Sequence, residues 1–139
     1  MNTRLLAAMA AVAGVGVAIW WTLTDERQPA AGEGAPIVEV KVPDLDEAAR
    51  LGEQAFNENC ASCHGADATG QEGVAPPLVH KIYEPSHHGD QAFFLAAKQG
   101  VRAHHWRFGD MPPVEGRTDP EIERIVTYIR TLQRANGIN

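Results

Sequence analysis

Apolar residues concentrate in four stretches of the chain, near residues 5–23, 45–56, 90–101 and 118–132, and each has its own pattern. The first, Leu5–Leu23, is an uncharged run with no polar face. At about 1.5 Å per residue it spans roughly 26–29 Å, close to one hydrocarbon core. Trp20 and Trp21 stand near its end, where indole rings favour the membrane interface, and Asp25, Glu26 and Arg27 stop it. A cleaved signal peptide would have a shorter apolar region followed by small residues. Here the small residues lie inside the run, and Ala30-Ala31 is the nearest alternative cut. A helix hidden in a protein core is a third reading, but a helix apolar all round needs a larger domain around it. The preferred reading is a retained single-span anchor over residues 1–24, with Arg4 on the cytoplasmic side. Anchor and signal alike export the remainder across a bacterial inner membrane into the periplasm.

Residues 25–43 carry no helical period and read as a linker. Gln28–Pro36 is rich in Pro, Gly and Ala and predicts a flexible tether. Ile37–Val42 alternates apolar and charged residues as a strand would, but no partner strand exists. An extended segment on the domain surface is the preferred reading.

The other three stretches have helical spacing. Leu45, Ala48, Leu51, Gly52, Ala55 and Phe56 share one predicted face of a helix over 45–59, with Asp44 as its cap. Asp90–Gly100 predicts a short helix capped by Asp90 and stopped by Gly100. Phe93, Phe94, Ala97 and Val101 supply its apolar side. The last helix starts at Thr118-Asp119-Pro120-Glu121, a capping sequence with proline in the first turn. Ile122, Ile125, Val126, Ile129 and Leu132 form its buried stripe, with Tyr128 at the margin and Arg124, Arg130 and Arg134 outward. The expected fold class is all-α, in one domain over residues 44–139.

Charge narrows the partners. With 139 residues, net charge −6 and a pI near 5.4, the chain has no basic stripe for phosphates, so nucleic acid is not expected as a partner. Its only cysteines, Cys60 and Cys63, fall in Cys60-Ala61-Ser62-Cys63-His64. C-x-x-C-H reads as an attachment site for c-type haem, with one thiol for each vinyl group and the adjacent imidazole as proximal ligand. A disulfide or a thioredoxin-like pair is the rival reading; His64 and the lack of any βαβ pattern argue against it. A proximal histidine is oriented through its second ring nitrogen, and the stiff Ala75-Pro76-Pro77-Leu78 segment suits that task as well as it suits a plain turn. Met111 is the one methionine beyond the first ten residues, on a loop before Pro112-Pro113. A thioether there is a candidate axial ligand, although lone methionines commonly fill cores.

These residues resemble the class I cytochrome c family over about residues 44–135. Cys60–His64 comes at the end of a first helix, Pro76 and Leu78 occupy the place of the family's Gly-Pro-x-Leu segment, and Met111-Pro112 matches its distal methionine loop. Ala75 departs from the glycine often found there. The resemblance implies an all-α fold around one covalent haem, with iron held by His64 and Met111 and with the Pro76 carbonyl orienting His64. It also implies that the first and last helices cross where Gly52, Phe56 and Tyr128 meet.

Five further histidines, His80, His87, His88, His104 and His105, read by default as surface residues, since each adjacent pair splits across two faces. Two sharper readings are that His104 or His105 replaces Met111 on the iron, and that the two pairs assemble a copper or zinc site. Trp106 and Phe108 are expected to shield the haem edge, with Arg107 reaching a propionate or staying solvated. The function these features favour is single-electron transfer between a redox protein donor and acceptor, by a free carrier or a subunit of an oxidoreductase complex. No second base, nucleophile or cofactor motif points to chemistry on a small-molecule substrate. A haem catalyst or gas sensor is the alternative, and it would need a displaceable sixth ligand.

Overall fold

A computed structural model describes residues 34–139. The anchor expected over residues 1–24 lies outside the described residues, as does the linker up to residue 33. Among the described residues no helix is long and apolar enough to cross a membrane.

The elements are α1 (Glu47–Asn59), the short α2 (Ala61–His64), α3 (Asp90–Gln99) and α4 (Asp119–Ala135). Two single 3-10 turns, Ala66–Ala68 and Lys81–Tyr83, interrupt the connections, and among the described residues the only β pairings are the isolated bridges Gln71–Ala75 and Val101–Met111.

α1 begins later than the pattern predicted. Its cap is Asp46, not Asp44: the Asp46 carboxylate accepts from the Ala49 amide at 2.8 Å. Its buried face is Ala49, Gly52 and Phe56, while Leu51 is 43% exposed. The hydrophobic stripe therefore follows the glycine and not the leucine. Gly52 sits at the crossing with α4, where a Cβ would stand 2.9 Å from both the Arg124 carbonyl carbon and the Tyr128 Cβ. Phe56 and Tyr128, both fully buried, pack there with ring centroids 5.6 Å apart.

α4 starts as expected. The Glu121 carboxylate reaches back to the Thr118 amide at 2.8 Å and to its hydroxyl at 2.7 Å. Ile122, Ile125, Val126, Ile129 and Leu132 are all buried, and Tyr128 lies at the centre of the core rather than at its margin. Arg130, expected to point outward, is 7% exposed. Its guanidinium donates to the Tyr83 carbonyl at 2.7 Å, the Gln133 side-chain oxygen at 2.6 Å, the His88 carbonyl and the Asp90 carboxylate. It also lies 4.9 Å from the centroid of the Phe93 ring. Asp90 is thus the first helical residue of α3 and an ion-pair partner; the cap position belongs to Gly89. Gly100 stops α3 at φ 74° as predicted.

The segment before α1 is extended, as preferred from the sequence, and it is held against the domain. The Ile37 and Val38 amides donate to the Thr69 carbonyl at 3.2 Å, and Asn136 brackets Lys41 through both its side-chain atoms at 2.9 Å. Residues 34–36 are tied as well: the Gly34 amide donates to Gln71, and the Glu72 amide to the Ala35 carbonyl.

Candidate haem site

α1 runs into the motif without a flexible joint. Cys60 is both the residue after α1 and the cap of α2, and the His64 amide donates to the Cys60 carbonyl at 2.8 Å. So short a helix leaves carbonyls without partners inside it. The buried Gln71 supplies the Ser62 carbonyl, its amide donating at 2.9 Å, and adds a second donor at 3.1 Å to the Ala61 carbonyl, which also accepts from the Gly65 amide. Gly65 turns the chain at φ 75°, and Asp67, itself at φ 55°, accepts from the Tyr128 hydroxyl at 2.9 Å. The motif is thereby tied to the helix crossing. Burial pushes the Tyr128 phenol far up, and the Asp67 carboxylate adds to the effect.

His64 is 8% exposed, and its Nδ1 donates to the Pro76 carbonyl at 2.9 Å. A carbonyl only accepts, so this contact places the proton on Nδ1 and leaves the Nε2 lone pair free. Burial lowers the His64 pKa, opposed by the Pro76 hydrogen bond. Its neutral, ligand-competent form is favoured.

Two adjoining clefts, with room for about 130 and 50 Å³, share Leu78, Phe93, Ala96 and Met111 as walls. Together they make an apolar slot between the motif side of the domain and the 101–111 loop. Pro76 and Val101 line the first; Cys60, Ala97 and Ile122 line the second. Neither cleft is walled by His64 itself; its hydrogen-bond partner Pro76 stands there instead. Phe94, placed with Phe93, Ala97 and Val101 on the apolar side of this helix from the sequence, lines neither. Cys60 is half-buried and Cys63 exposed. Burial, with the neighbouring Cys63 second, pushes the Cys60 thiol up to about 11. Met111 is fastened by a reciprocal pair of backbone hydrogen bonds to Val101, each 2.9 Å. Gly100, just before, approaches the Met111 carbonyl so closely that no Cβ fits.

The slot meets the needs of a porphyrin in a further way. Trp106 Nε1 and Arg117 Nε are buried without hydrogen-bond partners, one at each cleft. The Trp106 indole lies near enough to the Tyr83 hydroxyl to oppose the upward push of burial on that phenol, but forms no hydrogen bond of normal geometry. Orphaned buried donors are rare, and the carboxylates of a haem are acceptors of the kind both lack. The apolar walls, the thiol at the margin and the two waiting donors fit the group.

The chain belongs to the cytochrome c family. The family's model, described as Cytochrome c, matches residues 49–133. It follows that the chain carries a covalent haem c and its iron, attached at the C-x-x-C-H motif, Cys60–His64, and takes part in electron transport. Among curated relatives, the cbb3-type cytochrome c oxidase subunit FixP of Bradyrhizobium diazoefficiens is 38% identical over 86 residues, which is 60% of this chain and 27% of the relative. FixP of Sinorhizobium medicae is 33% identical over 94 residues, 66% of this chain and 30% of that protein. The oxidase subunit CcoP of Rubrivivax gelatinosus is 32% identical over 91 residues, 64% and 27% respectively. The chain thus spans under a third of the length of the curated relatives it matches.

Several residues of this cytochrome site were not legible beforehand. Arg117, and not the exposed Arg107, carries a buried guanidinium nitrogen awaiting an acceptor. Gln71 and Gln133 are buried tethers; Gln133 donates to the Leu78 carbonyl at 2.8 Å and holds the strand of chain that follows Pro76. No local signal separates these glutamines from surface ones. Trp106 walls the first cleft and stacks on Phe108 at 5.9 Å, while Phe108 itself lines neither cleft. The two histidine pairs, though each splits across faces, are folded against one another: His87 and His105 rings lie 5.4 Å apart, and His88 and His105 5.1 Å. His80 stands apart from them, edge-on to Trp106 at 5.1 Å.

Proposed function

We propose that the chain is a one-electron carrier whose haem iron is held on one side by His64 and on the other by Met111. When bound, the haem supplies an iron that alternates between ferrous and ferric states. The protein's part is to fix both ligands and keep water away. The observation that carries this reading is the paired restraint of two candidate ligands. The Pro76 carbonyl leaves the His64 Nε2 lone pair free, and the Val101 bridge pins the backbone of Met111 at the wall shared by both clefts. A thioether opposite an imidazole gives six-coordinate iron of raised potential, closed to substrate. Haem attached to rigid elements also changes shape little on electron transfer, which suits a carrier better than a catalyst.

The relatives named as oxidase subunits support a narrower reading of the partners. We place the carrier beside a membrane oxidoreductase, as a subunit or a tethered donor, with residues 1–24 as its anchor and the haem domain in the periplasm. Net charge −6 favours a partner with basic residues at its docking face.

Near-infrared spectra of the ferric holoprotein test the ligation. The expected result is a methionine-to-iron charge-transfer band that disappears in Met111→Ala. A band absent from the native protein, or a Met111→Ala spectrum identical to it, refutes Met111 as ligand. High-spin iron that binds carbon monoxide rapidly would instead support a catalyst or gas sensor.

A further inference from the structure

Of the four loop histidines at the slot, His88, His104 and His105 line its first cleft and His87 packs against His88. His87 and His88 close the turn before α3, and His104 and His105 sit in the 101–111 loop. One candidate ligand nitrogen from each of His87, His88 and His105 lies within 4.8 Å of the other two. The ring centroids of His87 and His88 are 4.6 Å apart, and His104 lies against His105 at 4.1 Å. Nitrogens around a tetrahedral ion at about 2.0–2.1 Å stand roughly 3.3 Å from one another. Side-chain rotation alone can close the difference, because His87 and His105 are exposed.

The supporting shell is already formed. His88 Nδ1 donates to the Ile82 carbonyl at 2.7 Å, and His104 Nδ1 to the Arg102 carbonyl at 2.8 Å. Both contacts fix the tautomer that leaves Nε2 unprotonated, the device by which metal-binding histidines are oriented. The buried Arg130 guanidinium holds the His88 backbone carbonyl, and the Asp110 carboxylate accepts from the Ala103 amide at 2.8 Å to brace the second pair. No carboxylate or thiolate belongs to the cluster.

We propose that His87, His88 and His105 bind one first-row transition-metal ion at the rim of the haem slot, with His104 packed behind His105. An all-imidazole donor set selects copper, nickel or zinc over magnesium or calcium, and copper(II) stands highest in the affinity order of divalent ions. Copper(II) is therefore the ion held most tightly, and solvent or a small ligand completes its coordination.

The test uses the full-length holoprotein in detergent, without a polyhistidine tag, titrated with copper(II) chloride from a glycine-buffered stock. Calorimetry and electron paramagnetic resonance should report one copper per haem with nitrogen couplings. His87→Ala should weaken binding by about tenfold or more and leave the low-spin haem signal unchanged. His105→Gln should weaken binding comparably, and zinc chloride should compete less well. The proposal is overturned if copper binds the native protein no more tightly than the His87→Ala, His105→Gln double variant. It is equally overturned if native ferric spectra show bis-histidine iron that reverts in His105→Gln, since that nitrogen would then be on the haem.

Discussion

Replacing Gly52 by alanine pits two physical effects against each other. In an exposed helix interior the change would stabilise by about 1 kcal/mol, because glycine is the poorer helix former. At this crossing the new methyl would meet the backbone of α4. It would stand 2.9 Å from the Arg124 carbonyl carbon and from Tyr128 Cβ, where ordinary contact begins at 3.4 Å, and nearer still to the Arg124 oxygen. The Arg124 oxygen sets the requirement, and the helices must separate by about an ångström. Backbone cannot swing aside as a long side chain can, so the overpacking cost belongs near the top of its usual range, about 3 kcal/mol. Separation also loosens the Phe56–Tyr128 pair, an interaction of about 1 kcal/mol beyond its burial. Set against the propensity gain, the net loss is about 3 kcal/mol, or about 12–24 °C in Tm for a domain of this size. Thermal unfolding of the holoprotein followed at 222 nm and in the Soret band measures it. Gln54→Gly, on the exposed side of the same helix, should lose no more than about 1 kcal/mol. A Gly52→Ala protein as stable as the native one, or more so, would refute the close-crossing argument.

Gly100→Ala should destabilise by about 2–3 kcal/mol, from a positive φ and a backbone clash at the Met111 carbonyl. It should also weaken the near-infrared methionine band, which a purely distant structural change would leave alone. Arg130→Met should cost about 3 kcal/mol, since it leaves the His88 carbonyl and the Gln133 side-chain oxygen without their donor and the Tyr83 carbonyl with only the longer bond from Gln133. The exposed Asp90 adds little to that loss, and hydrogen exchange should accelerate over residues 83–88. Hydrogen bonds from Thr118 depress the Glu121 pKa, so the group binds a proton less readily folded than unfolded. Its stabilisation is complete above the ordinary glutamate range and disappears as pH falls through the depressed folded value. Glu121→Gln should therefore be less stable than native at neutral pH and show no such deficit in strong acid, by urea unfolding at each pH.

The cofactor was decided by the chain alone. C-x-x-C-H specifies a covalent chemistry through five adjacent residues, so no folding is needed to read it. The capping box and the buried stripe of α4 were equally local: Thr118, Pro120 and Glu121 act within one turn, and a 3.6-residue period reports one face directly. Local signals failed where two positions competed for one role. Asp44 and Asp46 are both good caps, and Leu51 and Gly52 lie on adjoining faces; packing against α4 decided that Gly52 is buried and Leu51 exposed. They failed again for Arg130, Gln71, Gln133 and Arg117, whose side chains are polar on any scale. Such groups go inside only where distant carbonyls or carboxylates happen to need donors, and that need exists only once the chain has folded. The histidine pairs make the same point: their spacing forbids each pair from chelating alone, and tertiary structure brought the pairs together. Sequence named the haem and its candidate ligands; the fold decided how tightly they are held and what stands at the rim.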